Sequence, residues 1–398
     1  MSLLFEPFRI GSLEVENRFV HSATYECLAE ANGAVSTELI ARYRNLARGR
    51  IGLIVPGHMF VHPQGRAQHG QTGIHDDEMI PGLKRLVEAV HQEGGRIVFQ
   101  LAHAGRQTTP EIIGRTPRGP SARVRDPIYF FKPRALEDDE VLEIVRDFVR
   151  AADRAAEAGA DGVQFHAAHG YLISQFLSPF INRRQDRWGG SEENRFRLLG
   201  EILVETRRNV PDGMALLAKM TGDEHLGPKG ITPELAARYA GRLAELGLDG
   251  LEISGGNGTF SPMNVCRGDV PFEEFVQPFS WWMRPIGRLV MKSWAGKYDL
   301  IQGYNMEPAR LVRSAVGNMP LAVVGGWRTL ARMEQAVQEG PADLISMSRP
   351  FIREPFLVKR FMEGRAREAA CVSCNKCLAI IPNAIPLRCY HSGFPKRK

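Results

Sequence analysis

His166, His169 and Tyr171 follow one another closely, directly after the short apolar run VQF. Two imidazoles donating N–H bonds to one substrate oxygen would stabilise negative charge developing there, and a phenol beside them could deliver a proton. Zinc is the rival chemistry for a histidine pair, but this segment offers no third ligand at a suitable spacing. Further on, VVGGWRT (323 to 329) sets Gly325 and Gly326 at the threshold of a helix, where bare backbone N–H groups suit a phosphate. An ordinary left-handed turn is the structural alternative for a lone glycine pair. SMSRPF (346 to 351) then adds Ser348 and Arg349, whose planar fork of donors also matches phosphate oxygens. Four of the six cysteines, Cys371, Cys374, Cys377 and Cys389, crowd into the last 28 residues with the spacing Cys-x2-Cys-x2-Cys-x11-Cys. That spacing can close around one centre, and an iron–sulfur cluster, zinc and free thiols all remain open for it.

A scaffold must bring these groups together, and one local pattern recurs: a helical stretch ends near Gly, then four to eight strand-like residues follow. It appears in HQEGGRIVFQ, AEAGADGVQFH, AELGLDGLEIS and VQEGPADLISM. The Gly fits a helix C-cap, and each apolar run reads as a strand buried on both faces. Further strands are expected near Phe19 to Ser22, Ile51 to Val55, Ala215 to Met220 and Leu321 to Val324. Thr232-Pro233-Glu234 marks a helix start, and Val141, Ile144, Val145, Phe148, Ala152 and Ala155 form a helical apolar stripe. Eight strands alternating with helices predict an α/β fold of the (β/α)8 TIM-barrel kind. A doubly wound sheet is the alternative, but no Gly-x-Gly-x-x-Gly follows a strand. The expected organisation is a barrel over 1–365 and a short cysteine-bearing tail over 366–398.

In such barrels the active site lies at the C-terminal ends of the strands, so the residues found there are the first suspects. They are Ser22, Ala23, Thr24 and Tyr25; Gly57 and His58; Gln100 and His103; the His166 group; Lys219; Ser254; and the two phosphate candidates. Bulk composition agrees with an ordinary globular enzyme, at 43% hydrophobic and 24% charged residues. The net charge of +6 is spread along the chain, which argues against nucleic-acid binding. The opening MSLLFEPFRIG is neither a secretory signal nor an anchor, so cytoplasm is the expected location, with no membrane partner.

VQFHAAHGYLISQFLSPFINRRQDRWGGSEENRFRLL resembles the signature stretch of the old yellow enzyme family of FMN-dependent NAD(P)H oxidoreductases. LFEPFRIGSLEVENRFVHSATYE, IVFQLAHAGRQ, VVGG and SRPF occur in the family's order, so the resemblance spans nearly the whole chain. It implies an FMN site in which Gln100 and Lys219 meet the polar edge of the isoalloxazine. Ser22, Ala23, Thr24 and Gly57 would lie along the flavin, and Gly325, Gly326, Ser348 and Arg349 would hold the phosphate. His166 and His169 would bind a substrate carbonyl oxygen and Tyr171 would protonate. The implied activity is ping-pong reduction of the C=C bond of α,β-unsaturated carbonyl compounds, with NAD(P)H as hydride donor.

Two departures from relatives similar to dienoyl-CoA reductase and trimethylamine dehydrogenase matter. Tyr25 stands where many carry Cys or Thr, which excludes covalent flavin attachment there and makes Tyr25 the second candidate proton donor. The tail lacks one residue between its second and third cysteines, and the chain ends at Lys398, so no internal electron relay is expected. Two other functions compete. An oxidative N-demethylase of a methylated amine is suggested by Trp281-Trp282, since aromatic faces attract such cations. The bland alternative packs one indole on the barrel and lays the other over the site mouth. A catalytically silent flavin-binding or electron-carrier protein is the non-enzymatic rival. The substrate is expected to be a small molecule, and a homo-oligomer is left open.

Overall fold

The computed structural model describes residues 2–122, 125–126 and 131–396. Eight parallel strands form the centre: β1 (Phe19–His21), β2 (Leu53–Ile54), β3 (Val98–Ala102), β4 (Gly162–Ala167), β5 (Ala215–Thr221), β6 (Gly250–Ser254), β7 (Leu321–Val324) and β8 (Leu344–Met347). β1 pairs with β8 as well as with β2, and a bridge between Ile54 and Ile97 joins β2 to the start of β3. The sheet therefore closes on itself, and the fold is a (β/α)8 barrel. Helices α1 (Thr37–Arg48), α2 (Ile80–His91), α3 (Asp138–Glu157), α4 (Glu192–Asn209), α5 (Pro233–Glu245), α6 (Met306–Val316), α7 (Leu330–Gln338) and α8 (Leu357–Met362) follow the strands in turn.

The local chemistry behind these elements is the one expected. Thr232 caps α5 by accepting from the Leu235 N–H at 3.3 Å, and Ser36 caps α1 by accepting from Leu39 at 3.1 Å. All six residues of the apolar stripe on α3 are buried, each worth roughly 1.5–3 kcal/mol for the larger side chains. α3 and α5 end at Gly159 and Gly247, whose φ values of 83° and 78° a side chain would strain.

A hairpin of Phe8–Ile10 with Leu13–Val15 plugs the barrel's N-terminal end. Its Ile10, Leu13 and Val15 pack under Val20, Leu53, Val98, Ala215, Leu217, Ala322 and Leu344, which fill the lower lumen. The opposite end is left for chemistry.

The tail does not stand apart. Glu368 bridges to Thr329, Leu387 N–H donates to the Glu26 carbonyl at 2.7 Å, and Asn375 Nδ2 donates to the carbonyls of Cys266 and Asp269. Ile380, Leu387 and Tyr390 bury against Tyr25. The tail is thus a strap across the loops that follow β1, β6, β7 and β8.

Candidate active site

Residues two apart on a strand face the same way, so each barrel strand sends alternate side chains inward. Above the apolar lower lumen this rule sets Ser22, Gln100, Gln164, Lys219, Glu252 and Ser346 at one level. All six are buried. Glu252 is the hub: its Oε1 accepts from Ser22 Oγ at 2.6 Å and Ser346 Oγ at 2.7 Å, and its Oε2 from Gln164 Nε2 at 3.1 Å. Lys219 Nζ lies 3.2 Å from the same carboxylate and donates to Ser22 Oγ at 2.6 Å, while Gln100 donates to Gln164 at 2.6 Å. Burial pushes the Glu252 carboxyl up, but Lys219 and the three neutral donors outweigh it and hold it below the ordinary carboxylate range. Glu252 is therefore ionised at 2% exposure, inside a fully connected network.

One level higher stand His166, Thr221, Ser254, Thr24 and Ser348. Thr24 Oγ1 donates to Ser348 Oγ at 2.7 Å and Ala23 packs against the lower lumen, so loop 1 is pinned to loop 8. His166 is 3% exposed and its Nδ1 is buried without a hydrogen-bond partner. Leaving such an atom unsatisfied costs roughly 1–3 kcal/mol, which a polar ligand would recover. The His169 backbone, at φ 61°, is locked by bonds from its N–H to Thr221 Oγ1 (3.0 Å) and from Gln107 Nε2 to its carbonyl (2.7 Å). Its Nε2 meets Ser254 Oγ at 2.7 Å.

The His166 ring centroid is 5.3 Å from that of His169 and 4.5 Å from that of Tyr171, so the three groups singled out in sequence do converge. Both imidazoles are neutral: burial first, then neighbouring positive groups including Lys219, press them well below the ordinary histidine range. Neutral rings donating one N–H each suit an oxygen that gains charge only during reaction. Among the described residues, no three His, Cys, Asp or Glu side chains are placed together as a metal site, neither at the histidine pair nor at Cys371, Cys374, Cys377 and Cys389.

The structure gives several of the expected residues further partners. The Tyr25 hydroxyl donates to the His69 carbonyl and its ring packs under the tail, with burial chiefly raising its pKa. In this structure its hydroxyl hydrogen therefore points at the backbone. Gly57 has a reason of its own to lack a side chain: its N–H donates to Glu26 Oε1 at 2.7 Å, and a Cβ would fall 2.2 Å from Glu26 Oε2. Arg349 donates to the Arg267 carbonyl at 2.7 Å and to Asn375 Oδ1, so part of its fork is spent on protein. It lines one cleft with Cys371, Cys374, Cys377 and Cys389. Neither indole of the Trp281-Trp282 pair packs on the barrel, since they are 81% and 58% exposed.

Glu252, Gln164 and Ser346 escaped the sequence reading. The available signal was a polar residue at every second position of strands otherwise apolar.

The match to known proteins is decisive for the family. The model of the NADH:flavin oxidoreductase / NADH oxidase family matches residues 3–258 and 290–368. This chain belongs to that family. It is an oxidoreductase of the old yellow enzyme type, whose cofactors are FMN and NADH or NADPH. A 4,4′-dithiodibutanoate disulfide reductase of Rhodococcus erythropolis is 33% identical over 95% of this chain and 93% of its own length. An old yellow enzyme homologue from Zymomonas mobilis superposes with a TM-score of 0.70 at 25% identity, covering 92% of this chain and 93% of that one. A 2-naphthoyl-CoA reductase in complex with 2-naphthoyl-CoA gives a TM-score of 0.84 at 27% identity over 98% of this chain, which spans 56% of that longer protein. The family match passes over residues 259–289, the segment that carries both exposed tryptophans. No helix among the described residues is long and apolar enough to cross a membrane.

Proposed function

We propose that this member of the family is an ene-reductase acting on α,β-unsaturated carbonyl compounds. The observation that carries the reading is the convergence of His166, His169 and Tyr171 above the Glu252–Lys219 layer, with the buried Nδ1 of His166 unpartnered. Lys219 and Gln100 would meet the polar edge of a bound flavin, and Ser22, Ala23, Thr24 and Gly57 would lie along it. Gly325, Gly326, Ser348 and the remaining donors of Arg349 would hold its phosphate. Bound FMN would supply the hydride-transfer chemistry between NAD(P)H and the substrate.

The protein's own part is electrostatic and protic. His166 and His169 orient the substrate by its carbonyl oxygen and stabilise the charge that oxygen acquires. Tyr171 delivers a proton to the α-carbon. The half-reactions test this reading in stopped flow, with 2-cyclohexenone, an N-methylated amine and 4,4′-dithiodibutanoate offered in parallel. Fast reoxidation by the enone that slows in Tyr171→Phe, with flavin reduction spared, is the expected result. Preferential turnover of the disulfide would redirect the assignment toward the activity named for the Rhodococcus relative. Reduction of the flavin by the amine would instead favour the demethylase reading.

A further inference from the structure

His58 stands at the end of the second strand unit, and the reaction as derived above does not use it. Its ring lies parallel to that of His166, at 8° and 5.7 Å, and 4.9 Å from the Tyr171 ring. Its Nε2 is 3.1 Å from the Tyr171 hydroxyl, and its Nδ1 is 2.7 Å from Gln71 Nε2. The direction of these bonds follows from one backbone group. The Ala67 N–H can only donate, and it donates to Gln71 Oε1 at 2.7 Å. That fixes which end of the Gln71 amide is oxygen, so its NH2 faces His58 and donates to both Nδ1 and the His58 carbonyl, the latter at 3.0 Å. Nδ1 must then offer a lone pair. Burial chiefly presses the His58 pKa down to about 4, so the ring is neutral and its one hydrogen sits on Nε2. The bond to Tyr171 therefore runs from imidazole to phenol oxygen.

We propose that His58, oriented by Gln71, is a positioning residue that makes Tyr171 an acceptor toward the barrel wall, so that this bond does not consume the phenol hydrogen needed by the substrate. This rests on the proton-donor reading of Tyr171. In the step itself the Tyr171 O–H bond breaks, a C–H bond forms at the α-carbon, and the electron pair stays on the phenolate oxygen. The His58 N–H already points at that oxygen and stabilises the charge it gains. Water then reprotonates the phenolate. With the opposite tautomer the phenol would donate to His58 and hold its proton away from the substrate.

The test uses the FMN-loaded enzyme with 2-cyclohexenone. His58→Leu should slow the oxidative half-reaction about tenfold, the worth of one hydrogen bond to a developing charge, while NADPH reduction and KM for the enone stay unchanged. In a Tyr171→Phe background the same change should add nothing. His58→Gln, whose amide reaches the same place with an N–H, should recover most of the rate. Gln71→Glu places an acceptor at Nδ1, reverses the tautomer and should slow the reaction as His58→Leu does. Flavin content and thermal melting identify any variant that misfolds, and His58→Gln and Gln71→Glu keep the question open to measurement if His58→Leu does. Equal slowing by His58→Leu with and without Tyr171 would overturn the proposal, as would a parental rate in His58→Leu. Imidazole 15N shifts of the parent enzyme give an activity-free readout: a protonated Nδ1 on His58 overturns the proposed polarity. A parental enone rate in Tyr171→Phe instead sinks the proton-donor reading and with it the role given to His58, and the 15N result tells that failure apart.

Discussion

Replacing Glu252 by Gln removes one charge from the centre of the barrel and little else. The amide keeps the carboxylate's shape, and its oxygen can still accept from Ser22 or Ser346. Lys219 loses its counter-ion at 3.2 Å. Two unit charges at that distance attract by about 5 kcal/mol at an effective dielectric constant of about 20, the value that suits buried sites in practice. Breaking a buried pair typically costs about 3–5 kcal/mol, because an uncompensated charge is left behind. The apo-protein of Glu252→Gln should therefore unfold at clearly lower urea concentration than the parent.

The flavin should respond in the opposite sense. A reduced flavin that carries negative charge beside Lys219 is repelled by Glu252 and attracted by Lys219, so deleting the carboxylate favours the reduced form on both counts. If only a quarter of the pair energy, about 1.3 kcal/mol, passes to the flavin, the two-electron potential rises by about 28 mV, since 30 mV corresponds to about 1.4 kcal/mol. Dye-coupled potentiometry of the two holoenzymes measures this directly. An unchanged or lower potential would refute the placement of the Glu252–Lys219 pair at the flavin edge. Unchanged stability would refute the ionised state of Glu252.

Other outcomes follow from single features of the site. His166→Ala should weaken phenolic ligands, which mimic the enolate, and slow enone reduction by roughly a hundredfold, about 3 kcal/mol for one lost donor to a developing oxyanion; spectral titration with a phenol checks it. Cys374→Ser with Cys377→Ser should lower thermal stability more than turnover per flavin-loaded molecule, because the tail straps the loops after β6, β7 and β8. A selective loss of flavin reoxidation would instead argue for an electron-transfer centre in the cysteine cleft. Acid should destabilise the fold partly through His103, whose pKa is pushed down to about 3, chiefly by burial. The unfolded chain binds its proton from about pH 6.5 downward while the folded chain refuses it, so stability present above pH 6.5 is lost by about 1.4 kcal/mol per unit as pH falls toward 3. Glu26 and Glu224, raised by burial, act in the opposite sense, so the contribution is read as the difference in urea midpoints between parent and His103→Gln across pH 7.5 to 5. Parallel curves for the two would remove His103 as the cause.

What the sequence made legible, and what it hid, divide along one physical line. Strands and their order were readable because helix-ending glycines such as Gly159 and Gly247 adopt left-handed backbone that only they hold cheaply, and because runs such as LAVV have no polar face to confuse. Strand ends were readable because a polar residue after an apolar run must face the mouth of a closed barrel. The level below the mouth was hidden because a charge within an apolar strand looks like an exception until its partners are known. Glu252 is tolerable only because Lys219, Ser22, Ser346 and Gln164 arrive from four other strand units, and no local window contains them. The surroundings of Tyr25 and of the tryptophan pair were hidden for the same reason: they depend on the His69 carbonyl and on a segment outside the family core. Period two, followed backward from each strand end, would have found the hidden level. Gln100 precedes Ala102 by two, Gln164 precedes His166, Lys219 precedes Thr221, Glu252 precedes Ser254, and Ser346 precedes Ser348. Five strands repeat the same step, which points to one polar floor spanning the lumen, built to carry charge, with the groups proposed to touch the substrate standing above it.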